Sequence, residues 1–406
     1  MKLSDWPGFR RLRFDTELKA FNGLVSLFLS SAERVKKSGK KVVAKGPLSP
    51  VDPIYAAGAL AYDPYTHETI VHAVMNENLN LTSQAVDAGL SSDFNPWNLI
   101  MLGAVVSKKN EVPIDAYSTA CGCWDDQIKK SWQIMAEATD SPSYFWEIPR
   151  FDTKSEEWAI SFLVKELEQL FKWLTFQTGQ KVSDETLRDA IRRGNLLRQD
   201  LLEITQLLQS SPVPISALEY YLAQVLIGDY AQDPEELHNR YLALLDELKE
   251  RVKHLVAAPG LTSKKPLRIY LMGEETQEFQ LFNTIEDHGG VLVGCDTRLS
   301  LYYEPVKEDG WAVENLVRWI WKMPDNLPTV ERIKTTIPYI KKQKPDAIII
   351  SSVLGSRNLP GAERLARDII RDELGIPVLS IETTLPLENI EKVDYQIRAF
   401  IEMNAY

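Results

Sequence analysis

Apolar residues near the N-terminus recur at helical spacing and predict a first helix over 18–37. A β-like stretch over 41–45 follows, and Pro53 is predicted to open a helix that runs through Leu60. Strands are then predicted over 112–117 and 144–148, with a loop over 118–123 and a helix over 124–138 between them. This alternation of strand, loop and helix is typical of α/β proteins.

The middle of the chain has a different pattern, because apolar residues keep a helical period through 155–258 and predict about four helices. Beyond it, strands predicted over 267–272, 291–294, 345–351 and 376–382 alternate with helices over 277–288, 360–374 and 387–403. Such βαβ units normally build a parallel sheet. We therefore predict an α/β fold of two Rossmann-like lobes with mainly parallel sheets and a helical insert between them. The predicted boundaries are 1–150, 151–260 and 261–406.

Composition narrows the class of protein. The chain has 406 residues, 44% of them hydrophobic, which excludes disorder as its overall state. No apolar run approaches about 18 residues, and the N-terminus is polar, so we expect a cytoplasmic protein without a membrane partner. Lys and Arg total 46 against 57 Asp and Glu, a net charge of -11 that argues against nucleic-acid binding. Three cysteines in such a chain do not suggest a disulfide framework.

The strongest candidate chemistry lies in the cysteines. Cys121 and Cys123 follow one predicted strand and Cys295 follows another, so we expect all three in loops at strand ends, where ligands bind in open α/β sheets. The alternative is that they are small buried apolar residues. Three thiolates can hold three irons of a [4Fe–4S] cluster and leave the fourth iron open.

Two arginines are candidate cofactor-binding residues. Arg357 follows the strand predicted over 345–351, and Arg298 lies close to Cys295. A guanidinium beside backbone N–H groups can bind a phosphate or a carboxylate, although both could instead be solvated surface arginines. The sequence has no GxxxxGK[ST], no GxSxG and no GxGxxG after a strand, and it identifies no catalytic base. The catalytic residues therefore stay unknown.

The last part of the chain, PDAIIISSVLGSRNLPGAERLARDIIRDELGIPVLSIETTLP over 345–386, resembles the 2-hydroxyacyl-CoA dehydratase family. That family includes the subunits of benzoyl-CoA reductase and the double-cubane-cluster reductases. The resemblance implies homologous subunits that pair into homo- or heterodimers, a cluster held by three cysteines, and an acyl-CoA substrate beside it. It also implies a separate ATP-hydrolysing iron–sulfur activator that delivers one low-potential electron.

The match departs from the family at two of its usual cysteine positions. In the loop over 90–95 this chain has Ser91, Ser92 and Asp93, of which Ser92-Asp93 is predicted to cap the next helix. The loop over 354–357 has no cysteine either, and the middle position is matched by Cys121 or Cys123.

Three interpretations follow from these departures. Cys121, Cys123 and Cys295 could form an alternative set for one [4Fe–4S] cluster, or two chains could share a larger cluster at a dimer interface. In the third, the chain has lost its cluster and is a structural partner of a cluster-bearing paralogue. We favour the first, because all three cysteines follow predicted strands. The expected function is an iron–sulfur subunit of an acyl-CoA dehydratase or reductase, with Arg298 or Arg357 contacting the CoA phosphate or the acyl carbonyl. A cluster-free enzyme that binds a small phosphorylated ligand is a further alternative.

Overall fold

The structure is a computed structural model that describes residues 13–15, 17–47, 49–75, 78–110, 112–122, 127–259, 261, 265–273, 279–356, 362–384 and 390–405. The N-terminal lobe consists of eleven described helices and strands. They are α1 (Lys19–Leu29), α2 (Ser31–Ser38), β1 (Val42–Lys45), α3 (Asp52–Ala56), β2 (Leu60–Tyr62), α4 (Pro64–Met75), α5 (Asn78–Asp87), α6 (Pro96–Val106), β3 (Ala116–Cys121), α7 (Gln127–Ala138) and β4 (Ser143–Glu147).

A helical segment and a second lobe follow. The segment contains α8 (Glu156–Thr178), α9 (Asp184–Leu207), α10 (Ala217–Val225) and α11 (Pro234–Lys253). The C-terminal lobe contains β5 (Leu267–Gly273), α12 (Gln280–Asp287), β6 (Gly290–Cys295), α13 (Ala312–Trp321), α14 (Thr329–Gln343), β7 (Ala347–Val353), α15 (Glu363–Leu374), β8 (Val378–Thr383) and α16 (Ile390–Asn404). Short 3₁₀ turns lie over Thr153–Ser155, Leu226–Gly228, Tyr230–Gln232, Leu299–Leu301 and Pro324–Asn326.

Each lobe contains one four-stranded sheet, and all of its described strand pairs are parallel. The order is β2-β1-β3-β4 in the N-terminal lobe and β6-β5-β7-β8 in the C-terminal lobe. In both sheets the first strand therefore lies between the second and the third, so the two lobes have the same topology. Every residue of β1, β3, β6 and β7 is buried, as expected for parallel strands covered by helices on both faces. The predicted α/β fold with two Rossmann-like lobes is confirmed.

The main hydrophobic core extends through both lobes and the helical segment. Helix α9 shows how the sequence builds this segment. Ser183 and Thr186 form a capping box at its start, and buried residues such as Leu187, Ile191 and Leu201 recur along one face. The domain boundaries proposed from the sequence stay predictions.

Several predicted elements are placed differently. The third strand is Ala116–Cys121 instead of 112–117, so Cys121 is the last residue of a strand and does not lie in a loop. Cys295 is likewise the last residue of β6. The helix predicted through Leu60 ends at Ala56, and Leu60 begins β2. The helix predicted over 18–37 is split at Ser30, whose hydroxyl donates to the carbonyl of Ser26.

Within the described residues, no helix is long and apolar enough to cross a membrane.

Candidate functional site

Three segments meet near the carboxyl ends of β3 and β7. They are loop 91–96, which runs into α6, the start of α7 at Gln127, and loop 354–356 after β7. The backbone N–H of Asn95 donates to Oε1 of Gln127 at 2.5 Å, which joins the first loop to the start of α7. A Cβ built on Gly355 would lie 3.2 Å from Cδ of Pro96, so the third loop also touches the first. We call this meeting of loops the convergent site.

Local sequence chemistry shapes the convergent site. Asn95 is the N-cap of α6, since its side-chain oxygen accepts from the N–H of Trp97 at 3.0 Å, and Pro96 occupies the first turn. The predicted cap at Ser92-Asp93 was therefore wrong by two residues. Trp97 packs in one buried cluster with Val353, the last residue of β7. Strand ends β3 and β7 lie beside the point where strand order reverses, which is where open α/β sheets bind ligands.

Cys121 ends β3 beside Glu147 of β4 and is 9% exposed. Burial, reinforced by the charge of Glu147, raises the pKa of the Cys121 thiol to about 12, although Lys129 acts in the opposite direction. Its proton is therefore held at neutral pH. Cys121 is therefore a neutral thiol unless a metal ion coordinates it, since coordination deprotonates a thiol.

Cys295 has different surroundings. Its Sγ lies 2.7 Å from the hydroxyl of Thr297, and its side chain is 2% exposed. In the sheet it is level with Leu271 and, one strand further, with Ile349. Val353 then lies two strand spacings of about 4.8 Å across the sheet and four residues of about 3.3 Å along it, which is a diagonal of roughly 16 Å. Cys295 thus ends its strand well before the tip of β7.

The three-thiolate set stays a prediction, because Cys123 lies outside the described residues, as does Arg357. Among the residues that are described, no group of three or more His, Cys, Asp and Glu side chains could hold a metal ion. Loops 91–96 and 354–356 contain no cysteine, and the amide oxygen of Asn95 already caps α6. Iron–sulfur clusters are held by cysteine thiolates. The described residues of the convergent site therefore do not fit a [4Fe–4S] cluster.

Arg298, the second candidate from the sequence, reaches from the C-terminal lobe into the N-terminal lobe. Its guanidinium donates to the hydroxyl of Thr66, and Nη1 lies 3.6 Å from Oδ2 of Asp63. The same carboxylate lies 3.2 Å from Nζ of Lys45, and the N–H of Asp63 donates to Asp229 at 3.0 Å. All four charged side chains are buried. We call Lys45, Asp63, Asp229 and Arg298 the interlobe charge network.

Burial and charge act against each other in this network. Burial by itself would raise the pKa of Asp63, but the nearby charges of Lys45 and Arg298 outweigh it and the pKa is lowered. Burial raises the pKa of Asp229 to about 6, and the charge of Asp63 adds to that increase. Burial also lowers the pKa of Lys45. The guanidinium of Arg298 therefore has buried partners within the chain, and it links the lobes in this conformation.

Sequence reasoning missed Lys45, Asp63 and Asp229, as well as the contacts of Gln127 and Gly355. Lys45 could have been identified as a candidate, because it is the last residue of a predicted strand and ligands bind near strand ends. Asp63 and Asp229 gave no such signal, since neither follows a strand that the pattern predicted. Their meeting with Arg298 depends on tertiary structure.

Comparison with known proteins confirms the family resemblance predicted from the sequence. The family model described as "2-hydroxyglutaryl-CoA dehydratase, D-component" matches residues 48–404. A curated relative from Escherichia coli (strain K12), described as "Putative dehydratase subunit YjiM", is 24% identical over 286 residues. That alignment covers 68% of this chain and 72% of the relative.

Proposed function

The chain belongs to the 2-hydroxyglutaryl-CoA dehydratase D-component family, and from this membership we propose that it is a subunit of an acyl-CoA dehydratase. The observation that supports a site of this kind is the convergence of loop 91–96, the start of α7 and loop 354–356. The family resemblance expects cluster ligands in the first and the last of these segments, and at Cys121 or Cys123 shortly before α7. Dehydration is preferred to reduction because the family model and the relative are both described as dehydratases.

We further propose that this chain is the cluster-free partner of a homologous, cluster-bearing subunit. Two of the three expected ligand loops have no cysteine. A polar amide at Asn95 serves as a helix cap in one of those loops. The partner would bind the [4Fe–4S] cluster, and a separate ATP-hydrolysing activator would deliver the low-potential electron to it. The substrate would be a 2-hydroxyacyl-CoA that loses water to become the 2-enoyl-CoA.

A second candidate is that this chain holds its own [4Fe–4S] cluster through Cys121, Cys123 and Cys295, or shares a larger cluster across a dimer. The observation in its favour is that Cys121 and Cys295 both end strands at the carboxyl edges of their sheets. This candidate requires Cys123 as a third ligand.

Reconstitution tests the subunit proposal. The tagged chain would be purified anaerobically with its homologous partner, mixed with the activator and ATP, and assayed against a panel of 2-hydroxyacyl-CoA thioesters. We expect water elimination that requires both subunits. A variant with alanine at all three cysteines should keep its activity within about twofold if the partner holds the cluster. Activity that is independent of this chain contradicts the subunit proposal, and loss of activity in the thiol-free variant favours the second candidate.

A further inference from the structure

Loop 91–96 is held from both lobes. From the N-terminal lobe, Oε1 of Gln127 accepts the backbone N–H of Asn95 at 2.5 Å. From the C-terminal lobe, Gly355 lies against Pro96 and the carbonyl oxygen of Phe94. The loop itself is exposed at residues 91–93, so these contacts at its C-terminal end anchor an otherwise solvated segment.

Gln127 is suited to hold the loop because it is both buried and fixed. It is the first residue of α7 and is 5% exposed, and its backbone carbonyl accepts from the hydroxyl of Ser131 at 3.0 Å. Its side-chain oxygen meets a backbone donor that belongs to no strand ladder. A buried donor that loses its acceptor is costly, so this hydrogen bond restricts where the loop can lie.

Gly355 holds the loop by close approach. Its φ of +90° lies in the region that favours glycine, and a Cβ there would lie 3.2 Å from Cδ of Pro96. A contact that short forces a neighbour to move. A Cβ at this position would therefore press on Pro96, which must give by a few tenths of an ångström.

We propose that Gln127 and Gly355 are positioning residues that clamp loop 91–96 at the convergent site, one from each lobe. The position of the loop then depends on the relative orientation of the lobes. Through this clamp, the two residues set the affinity of the convergent site for an acyl-CoA thioester. This effect on acyl-CoA affinity rests on the proposed function, whereas the clamp itself does not.

Hydrogen exchange tests the contribution of Gln127. Gln127→Met removes the acceptor with little change in volume, whereas Gln127→Glu keeps an oxygen that can accept from Asn95. We expect peptides covering 91–97 to exchange about tenfold faster in the methionine variant and at the wild-type rate in the glutamate variant. Unchanged exchange in Gln127→Met, or equally fast exchange in both variants, would overturn the role of Gln127.

Two glycine variants test the contribution of Gly355. Gly375 also has a positive φ, +67°, but a Cβ there meets nothing within 4 Å, so Gly375→Ala reproduces the backbone cost without the contact. We expect Gly355→Ala alone to speed exchange over 91–97. In the reconstituted complex it should raise KM for the 2-hydroxyacyl-CoA several-fold with kcat nearly unchanged.

Equal behaviour of the two glycine variants in exchange and in KM would overturn the role of Gly355. A wild-type complex without dehydratase activity would instead contradict the proposed function. In that case the hydrogen-exchange rates over 91–97 in the Gln127 and Gly355 variants alone test whether the two residues hold the loop.

Discussion

Asp296 directly follows Cys295, the last residue of β6, and its carboxyl group is buried. Its Oδ1 accepts the N–H of Gly273 at 2.8 Å, and among the described residues its Oδ2 has no hydrogen-bond partner. Burial raises the pKa of this carboxyl to about 7, while the charge of Arg332 acts to lower it. At neutral pH the protein therefore holds this group close to its titration midpoint, at a cost to stability.

Asp296→Asn should stabilise the protein at alkaline pH. A carboxyl whose pKa rises from 3.8 to about 7 on folding contributes stability that is complete below pH 3.8 and is lost as the pH rises through 7. Asparagine keeps the acceptor for Gly273 and carries no charge. We expect a gain in unfolding free energy of up to about 4 kcal/mol at pH 8, and a much smaller difference near pH 4.

Urea unfolding at the two pH values measures this difference. Asp325→Asn is the control, because Asp325 is paired with Arg332 at 2.9 Å and its neutralisation should destabilise the protein at pH 8. An Asp296→Asn variant less stable than wild type at pH 8 would contradict the account.

Arg298 shows what the sequence could not reveal at the scale of single residues. Its position after a strand correctly marked it as a charged group near a sheet edge. Its partner Thr66 is 232 positions away along the chain, and nothing in the local pattern links the two. The anion-binding role proposed from the sequence remains untested, but the structure shows buried partners for its guanidinium.

At the scale of elements, periodicity located most helices and strands but misplaced β3. Its sequence, AYSTAC, contains hydroxyl side chains that resemble a loop, yet all six residues are buried. The polar groups are accommodated by neighbours, for example where the N–H of Ala120 donates to Oγ of Ser49 at 2.7 Å. Tertiary hydrogen bonds thus allow a strand that local composition does not predict. The three-residue strand β2 was too short to give a pattern.

Two capping boxes offer a test at this scale. Ser216 and Glu219 cap α10, and Oε1 of Glu219 also accepts the N–H of Asp15 at 2.6 Å. Ser183 and Thr186 cap α9 without such a link to a distant segment in the described structure. We expect Ser216→Ala to cost about 2 kcal/mol of unfolding free energy and Ser183→Ala about 1 kcal/mol, as measured in urea. An equal or smaller loss for Ser216→Ala would contradict the larger contribution expected of the cap whose glutamate also binds Asp15.

At the scale of the whole molecule, the sequence predicted two α/β lobes around a helical segment, because βαβ alternation and helical periodicity are both long-range patterns. It did not predict that the lobes share one strand order or that buried charges join them. The sequence identified the loops of the convergent site only one at a time along the chain. Their meeting depends on tertiary contacts within and between the two lobes, which periodicity does not encode.

Removing Arg298 should weaken the coupling between the lobes. Arg298→Met leaves the Asp63 carboxylate buried with one cation fewer. Breaking a buried ion pair typically costs about 3–5 kcal/mol, and we expect a loss of unfolding free energy of that size. We also expect a broader or split unfolding transition in calorimetry. Arg332→Met removes a similarly buried arginine whose ion pair with Asp325 lies within one lobe. It should lower the transition temperature without splitting the transition. A single sharp transition in Arg298→Met would contradict the coupling role of the network.

The most direct test of the central claim is the iron and acid-labile sulfide content of this chain, produced without its partner and purified under strict anaerobic conditions. If the chain is the cluster-free subunit, it should carry far less than one iron per chain, while its homologous partner carries the cluster. About four irons per chain that disappear in Cys123→Ser would contradict the account, and would show that this chain holds a [4Fe–4S] cluster of its own.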